Sequence, residues 1–268
     1  MDDKITIALV VCNASFGEID SNLTAMLGWV EKALAGGAAI VCFPELNVTG
    51  YGNKKEMQAL AQTVPGFASR NISTMAKNAG LTILAGLAES APGGRIYASH
   101  LVAAPDGTIE VYRKLHLAPP EKSTFTPGDR VPVFNAGGLK FGIQLCYDAH
   151  FPELSTRMTA MGAEAIFIPH ASPRGDAATK HASWMRHLPA RAYDNSVFIA
   201  ACNQIGPNGN GLSFPGNGVV LGPSGDIIAD HLIDKDGILF AELRRENLQW
   251  VRKHEMRHFF PNRRPELY

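Results

Sequence analysis

Neither sign of charge predominates in this chain: lysine plus arginine number 25, aspartate plus glutamate 25, and the formal charge is zero. No stretch gathers enough like charge to match a phosphate backbone or an anionic lipid surface, so neither nucleic acid nor membrane is an expected partner. Long apolar runs are missing too, since no window approaches the roughly 20 residues a bilayer-spanning helix needs. The start, MDDKITIALVV, has acid where a secretory signal has base, and its apolar run has the length of a strand, which predicts a cytoplasmic protein. Cysteine is sparse. Cys12, Cys42, Cys146 and Cys202 include no CxxC pair, which excludes a zinc ribbon and a secreted disulfide framework and predicts free, mostly buried thiols. Metal-ligand spacings and a phosphate-cradling glycine loop are also lacking, so no metal and no cofactor is expected.

What is present is enough apolar material, 46% of 268 residues, to bury a large core without staples. ITIALVV, AAIVCF, LTILAGL, YASHLVAA, IEVYRKL, FGIQLC, AIFIPH, VFIAACNQ, GNGVVLG and DIIADHL read as strands bounded by Gly, Pro, Asn or Asp. Several are apolar on consecutive residues, as strands covered on both faces are. Helical periodicity lies between them. SNLTAMLGWVEKALA, with Asp20 as its cap and Gly36-Gly37 as its stop, sets Leu23, Leu27, Val30 and Leu34 on one stripe. GFASRNISTMAKNAG, PELSTRMTAMGAE and HASWMRHLPARAYDN are the other helical segments, the last broken or kinked at Pro189.

The order repeats. LTILAGLAE precedes the hairpin YASHLVAAPDGTIEVY, and VFIAACNQIG precedes the hairpin GNGVVLGPSGDIIADH. The expected fold is therefore α/β: two similar halves, each a sheet with helices on one face, packed sheet to sheet as a four-layer αββα sandwich. Residues 1–245 form the domain, and 246–268, a mixture of aromatic and basic residues, read as an arm docking on it or on a partner subunit, with a frayed terminus the plain alternative.

The tetrapeptide FPEL occurs twice, at 43–46 and 151–154, each time after an apolar run that contains a cysteine. In GIQLCYDAHFPEL, Pro152 suits the first turn of a helix and Glu153 complements its N-terminus, so that glutamate has a structural explanation. Cys146 falls between strand end and helix start, near unpaired N–H groups that stabilise a thiolate or an oxyanion, although an inert packed cysteine fits the stretch equally. Glu45, at the C-terminal edge of AAIVCF, has no helix to cap. Open α/β sheets bind ligands at such edges, and they also carry ordinary solvated acids there. Lys114 closes IEVYRKL, either as an edge-strand charge or, with Glu45 and Cys146, as the cation of a carbonyl-attacking site.

FPEL followed by TGY, YRKLHL at 112–117 and LCYDAHFPE at 145–153 resemble the glutamate, lysine and cysteine blocks of the nitrilase superfamily of carbon–nitrogen hydrolases. FTPGD, NQIG and PSGDII match as well, and the resemblance runs from ITIALVV to about Leu243. It implies an αββα sandwich assembled as a homodimer or larger homo-oligomer, acting on a small-molecule amide through a thioester. Glu45 is implied as general base, Lys114 as the cation beside the tetrahedral intermediate and Cys146 as nucleophile. Glu121 in EKSTFTPGD is implied as a substrate-orienting acid, and the Tyr147 N–H and His170 as further substrate contacts. Nitrile-cleaving members have Cys-Trp-Glu at the nucleophile, whereas Cys146-Tyr147-Asp148 resembles amidase branches. N-carbamoyl and nitrile substrates and a non-catalytic scaffold are the alternatives. Members acting on acidic substrates place an arginine after the nucleophile where Ala149-His150 stands here; Arg174, Lys180 or His181 could supply a charge instead, although SPRGDAATKH also reads as an ordinary solvated loop. A Cys–His hydrolase with His150, His170 or His181 as base is the rival mechanism, while His116 and His150 read more simply as donors that hold loops.

Overall fold

The computed structural model describes residues 4–52, 56–232 and 235–267; the acidic residues of the MDDK start, Asp2 and Asp3, and the last residue of the arm, Tyr268, lie outside these. Chain order is β1 (Lys4–Val11), α1 (Ile19–Ala35), β2 (Ile40–Cys42), α2 (Glu56–Leu60), α3 (Phe67–Ala79), β3 (Thr82–Ala91), β4 (Arg95–Ala103) and β5 (Ile109–Arg113). The second half runs β6 (Phe134–Ala136), β7 (Leu139–Ile143), α4 (Pro152–Ala160), β8 (Ala165–His170), α5 (Ala177–Trp184), α6 (Leu188–Asn195) and β9 (Phe198–Asn203). It continues with β10 (Ile205–Pro207), β11 (Ser213–Pro215), β12 (Gly218–Leu221), β13 (Ile227–His231), β14 (Gly237–Arg244) and α7 (Arg245–Arg252).

Two six-stranded sheets result, ordered β14-β1-β2-β3-β4-β5 and β6-β7-β8-β9-β12-β13. Each has three parallel strands in the middle, an antiparallel pair on one side and a single antiparallel strand on the other. The repeat legible in the hairpins is thus a repeat of the whole sheet. Strand alternation builds the layers, because successive side chains point to opposite faces. On β1, Ala8 and Val10 join Leu23, Met26 and Val30 of α1 and Ile72 of α3 in one core, while Ile7 and Leu9 join Phe167, Ile199 and Ala201 of the other sheet in a second. Leu154 and Met158 of α4 and Leu188 and Ala192 of α6 belong to that second core. The αββα sandwich follows.

Three local expectations are corrected. The buried stripe of α1 is Leu23, Met26, Val30 and Ala33, and Leu27 and Leu34 are 45% and 50% exposed. Both spacings suit a helix, and the sequence pattern had the stripe rotated by one position. Asp20 is not the cap: the helix begins at Ile19, Glu18 precedes it without a side-chain cap bond, and Asp20 lies in the first turn, where its charge suits the helix dipole. β14 was not among the expected strands, yet it pairs antiparallel with β1 from Lys4↔Arg244 to Val11↔Gly237. Its residues are mostly half-buried, and this edge position leaves a mixed pattern, GILFAELR, instead of an apolar run.

The break expected at Pro189 is present. The expected segment, residues 181–195, divides into α5, which starts four residues earlier at Ala177, and α6, with Pro189 in its first turn, where its missing N–H costs nothing. Leu248 and Val251 of α7 are buried, Leu248 in the second core, whereas Trp250, Met256 and Leu267 of the arm are exposed. No helix among the described residues is long and apolar enough to cross a membrane.

Candidate active site

The two FPEL copies part company in the fold. Glu153 stands exposed in the first turn of α4. Glu45 is fully buried just beyond β2. After Phe43, whose N–H still bonds to Leu84 O at 2.9 Å, the chain leaves the sheet, and Leu46 takes a left-handed φ of 53°. The neighbouring strand permits this because position 86 is glycine: a Cβ there would lie 2.4 Å from the Leu46 nitrogen. Gln204 fixes the same turn by donating from Nε2 to Glu45 O at 2.8 Å. One carboxylate oxygen, Oε2, accepts the Ala171 N–H at 3.1 Å, and the other, Oε1, accepts from Lys114 Nζ at 2.7 Å.

Lys114 is the first residue past β5, beyond the strand and not within it. Its N–H continues the ladder to Ala98 O at 2.9 Å, and its side chain turns inward to 1% exposure. The ammonium also donates to Glu121 Oε1 at 2.8 Å, so a single cation bridges two buried carboxylates. Glu121 ends a short 3-10 turn, 2% exposed, with Oε2 accepting the Ala118 N–H at 2.8 Å and Oε1 accepting the Tyr51 hydroxyl at 3.0 Å.

Cys146 closes the constellation. It opens a 3-10 turn, Cys146–His150, that follows β7 and leads into α4, and its φ is +44°. A left-handed conformation costs a residue with a Cβ about 1–2 kcal/mol, so something must hold it. Asp148, fully buried, does so with four hydrogen bonds: Oδ2 accepts the Leu145 N–H at 3.0 Å and the Tyr112 hydroxyl at 2.7 Å, and Oδ1 accepts the His116 N–H and Nδ1 at 2.8 Å each. The His116 ring stacks on Phe151 with centroids 3.8 Å apart, which makes it the loop-holding donor the sequence suggests. Beside this turn a cavity of about 490 Å³ opens, lined by Leu115, Leu117, Phe125, Tyr147 and Phe151 among others.

Electrostatics in the cluster follow from burial and proximity. Burial raises Glu45, Lys114 pulls it down, Glu121 pushes it up again, and the outcome is about 7. The Cys146 thiol is pushed up to about 12, first by burial and next by the Glu45 charge, against the opposing Lys114. Lys114 is held well above its usual range: burial works against its charge, but Glu45 and Glu121 outweigh it. The resting state near neutral pH is therefore an un-ionised thiol beside a titrating carboxylate and a permanent ammonium.

The remaining expected residues fall nearby. No chain acceptor among the described residues takes the Tyr147 N–H, and the Tyr147 ring lies edge-on to His150 and Phe151. His170 ends β8 buried against Trp184, with Nδ1 2.7 Å from Ile168 O; burial keeps it neutral. No histidine hydrogen-bonds to Cys146 among the described residues, which leaves the Cys–His rival without geometry. Cys12, Cys42 and Cys202 are buried and Cys146 is partly exposed; all four are free thiols. Among the described residues no group of three or more His, Cys, Asp or Glu is placed to hold a metal. Sequence reasoning missed Asp148, Tyr112, Tyr51 and Gln204 as the parts that fix the cluster. The one signal available was the acid in YDAH, two residues past the cysteine and in a turn.

The family model described as Carbon-nitrogen hydrolase matches residues 6–253, and the chain belongs to that family. It is similar to a nitrilase of Pyrococcus abyssi, 30% identical over 98% of this chain and 99% of that protein. Among solved structures it resembles a carbon–nitrogen hydrolase of Helicobacter pylori G27, at 26% identity and a TM-score of 0.89 over 99% of this chain and 97% of that one. It also resembles a mutant amidase of Nesterenkonia sp. AN1, at 26% identity and a TM-score of 0.85, covering 100% of this chain and 97% of that one. In that amidase the acetamide moiety of fluoroacetamide is covalently added at the active-site cysteine. The present protein is accordingly a hydrolase acting on carbon–nitrogen bonds other than peptide bonds, on the nitrilase fold.

Proposed function

We propose that this protein hydrolyses a small amide through a thioester on Cys146, with Glu45 as the proton carrier and Lys114 as the fixed cation. The observation that carries the reading is the bridge of Lys114 Nζ to Glu45 at 2.7 Å and to Glu121 at 2.8 Å, within the field that sets the Cys146 thiol. An un-ionised thiol needs its proton removed as it attacks, and a carboxylate near 7 is matched to that task at neutral pH. Sulfur adds to the carbonyl carbon while its proton passes to Glu45. The oxyanion that forms meets the Lys114 ammonium and the unpaired Tyr147 N–H. Glu45 then returns the proton to the nitrogen as the C–N bond breaks and ammonia or an amine departs. Water enters, gives a proton to Glu45 and attacks the thioester, and the proton finally returns to the departing sulfur.

Glu121 orients both Lys114 and, through its second oxygen, the 118–121 turn that faces the site. The amide is favoured over the nitrile because Tyr147-Asp148 follows the nucleophile and Asp148 is committed to holding the turn. The test is ammonia release from a panel of amides, N-carbamoyl compounds and nitriles, with Cys146→Ala as the blank and mass spectrometry of the intact chain. Amide turnover with an acyl adduct on Cys146 supports the proposal. Turnover of nitriles alone, or equal activity in the blank, overturns it.

A further inference from the structure

Asp148 holds the entry of the turn that presents Cys146, and a different element holds its exit. The sequence itself creates the need. In the 3-10 turn Cys146–His150 each carbonyl looks three residues ahead for its donor, and the residue three ahead of Ala149 is Pro152, which has no N–H to give. No main-chain N–H among the described residues takes the Ala149 or the His150 carbonyl. Ala149 is fully buried, so a carbonyl left unpaired there would be costly.

Arg191 of α6 fills the gap. Its Nε donates to Ala149 O at 3.2 Å and its Nη2, more loosely, to His150 O at 3.5 Å. The guanidinium is partly buried and takes part in no ion pair among the described residues. Asp194 of its own helix and Glu153, the acid of the second FPEL, favour its charge from farther off, against burial. The helix that carries it is anchored, with Leu188 and Ala192 in the second core. Between the two grips lie Cys146, with its φ of +44°, and the N–H of Tyr147. A short turn fixed at one end can pivot; fixed at both ends it has one direction.

We infer that Arg191 is a positioning residue for the hydrolysis: its hold on the Ala149 carbonyl sets the direction in which the turn presents the Cys146 sulfur and the Tyr147 N–H. The inference rests on Cys146 as the nucleophile and adds to that reading a part borne by another helix.

The experiment compares Arg191→Met, Arg191→Lys and Leu188→Ala with the wild type. It reads kcat and KM for the best amide of the panel, the melting temperature, and hydrogen exchange of residues 145–151 by mass spectrometry. Arg191→Met is expected to lower kcat by about 10-fold to 100-fold, the scale of a misplacement of about 1 Å, with KM changed by less than about twofold. Exchange across 145–151 is expected to quicken. Arg191→Lys keeps one donor for Ala149 O but loses the planar fork, so it should retain more of kcat than Arg191→Met and less than the wild type. Leu188→Ala loosens the packing of the same helix with the guanidinium in place, and should lower the melting temperature while kcat stays near that of the wild type. A kcat in folded Arg191→Met within about twofold of the wild type overturns the inference, and so does an equal loss of kcat in Leu188→Ala, which would make the effect one of helix packing. Should Arg191→Met not fold, Arg191→Lys decides, and wild-type kcat with wild-type exchange in it overturns the inference. Faster exchange in Arg191→Met, with no amide turned over by the wild type, keeps the hold on the turn and removes the hydrolytic reading. Amide turnover by the wild type, with kcat and exchange unchanged in Arg191→Met, does the reverse.

Discussion

The Tyr112 hydroxyl donates to Asp148 Oδ2 at 2.7 Å, joining the inner face of β5 in one sheet to the turn that presents Cys146 from the other. Both groups are fully buried, and the same carboxylate holds Leu145 and His116. Hydrogen bonds to charged groups contribute about 1.5–3 kcal/mol when buried. Tyr112→Phe should therefore lower stability by about that amount in denaturant unfolding. Because Cys146 keeps a left-handed φ only while its turn is held, kcat should fall more than KM rises. Asp148→Asn should have the larger effect on both, since it weakens four bonds at once.

As the proposed proton carrier, Glu45 should set the pH dependence. Burial and Glu121 raise its carboxyl, with Lys114 opposing, to about 7. The base form is the unprotonated one, so kcat/KM should fall as pH drops through about 7 and level off above it. No alkaline limb is expected below pH 9, because the thiol lies at about 12 and Lys114 is held well above its usual range. Glu45→Gln should remove the acid limb along with nearly all turnover. A limb that persists in that variant's residual activity would assign the titration to another group.

Much of this site could be read from the chain because the parts are local. Glu45, Lys114 and Cys146 each sit just past an apolar strand, in loops with their own signatures, FPEL, YRKLHL and LCYD. What escaped is what depends on tertiary contact. Asp148 and Tyr112 are 36 positions apart, and nothing in the pattern of either segment marks the pair. β14 escaped for the opposite reason: an edge strand shares its faces with solvent and loses the apolar run that marks a central strand.

Lys114 is flanked by two carboxylates and fully enclosed, so its removal leaves two buried anions facing each other. Breaking a buried ion pair from one side costs about 3–5 kcal/mol. Lys114→Met should accordingly lower the melting temperature as well as activity, and the purified variant should take up protons, Glu45 rising further once the group that pulls it down is gone. Lys114→Met combined with Glu121→Gln should be more stable than Lys114→Met alone, because one of the opposed anions is removed. A double variant no more stable than the single would show that the two acids do not share one field.

Alkylation by iodoacetamide separates a Glu-assisted thiol from an imidazolium-paired thiolate. A thiolate paired with a histidine cation reacts well below pH 7, but among the described residues no histidine hydrogen-bonds to Cys146, and its thiol is pushed up to about 12 by burial and the Glu45 charge. Labelling of Cys146 should therefore be slow at pH 6 and rise steadily through pH 9. In Glu45→Gln the proposed proton acceptor is absent, so labelling near pH 7 should be slower than in the wild type and should follow only the free thiolate, rising toward higher pH. Cys42 and Cys202 are fully enclosed and Cys12 is 6% exposed, and these three should label only after denaturation. Fast labelling of Cys146 at pH 6 would mean a thiolate at rest, and the proton route through Glu45 would have to be replaced.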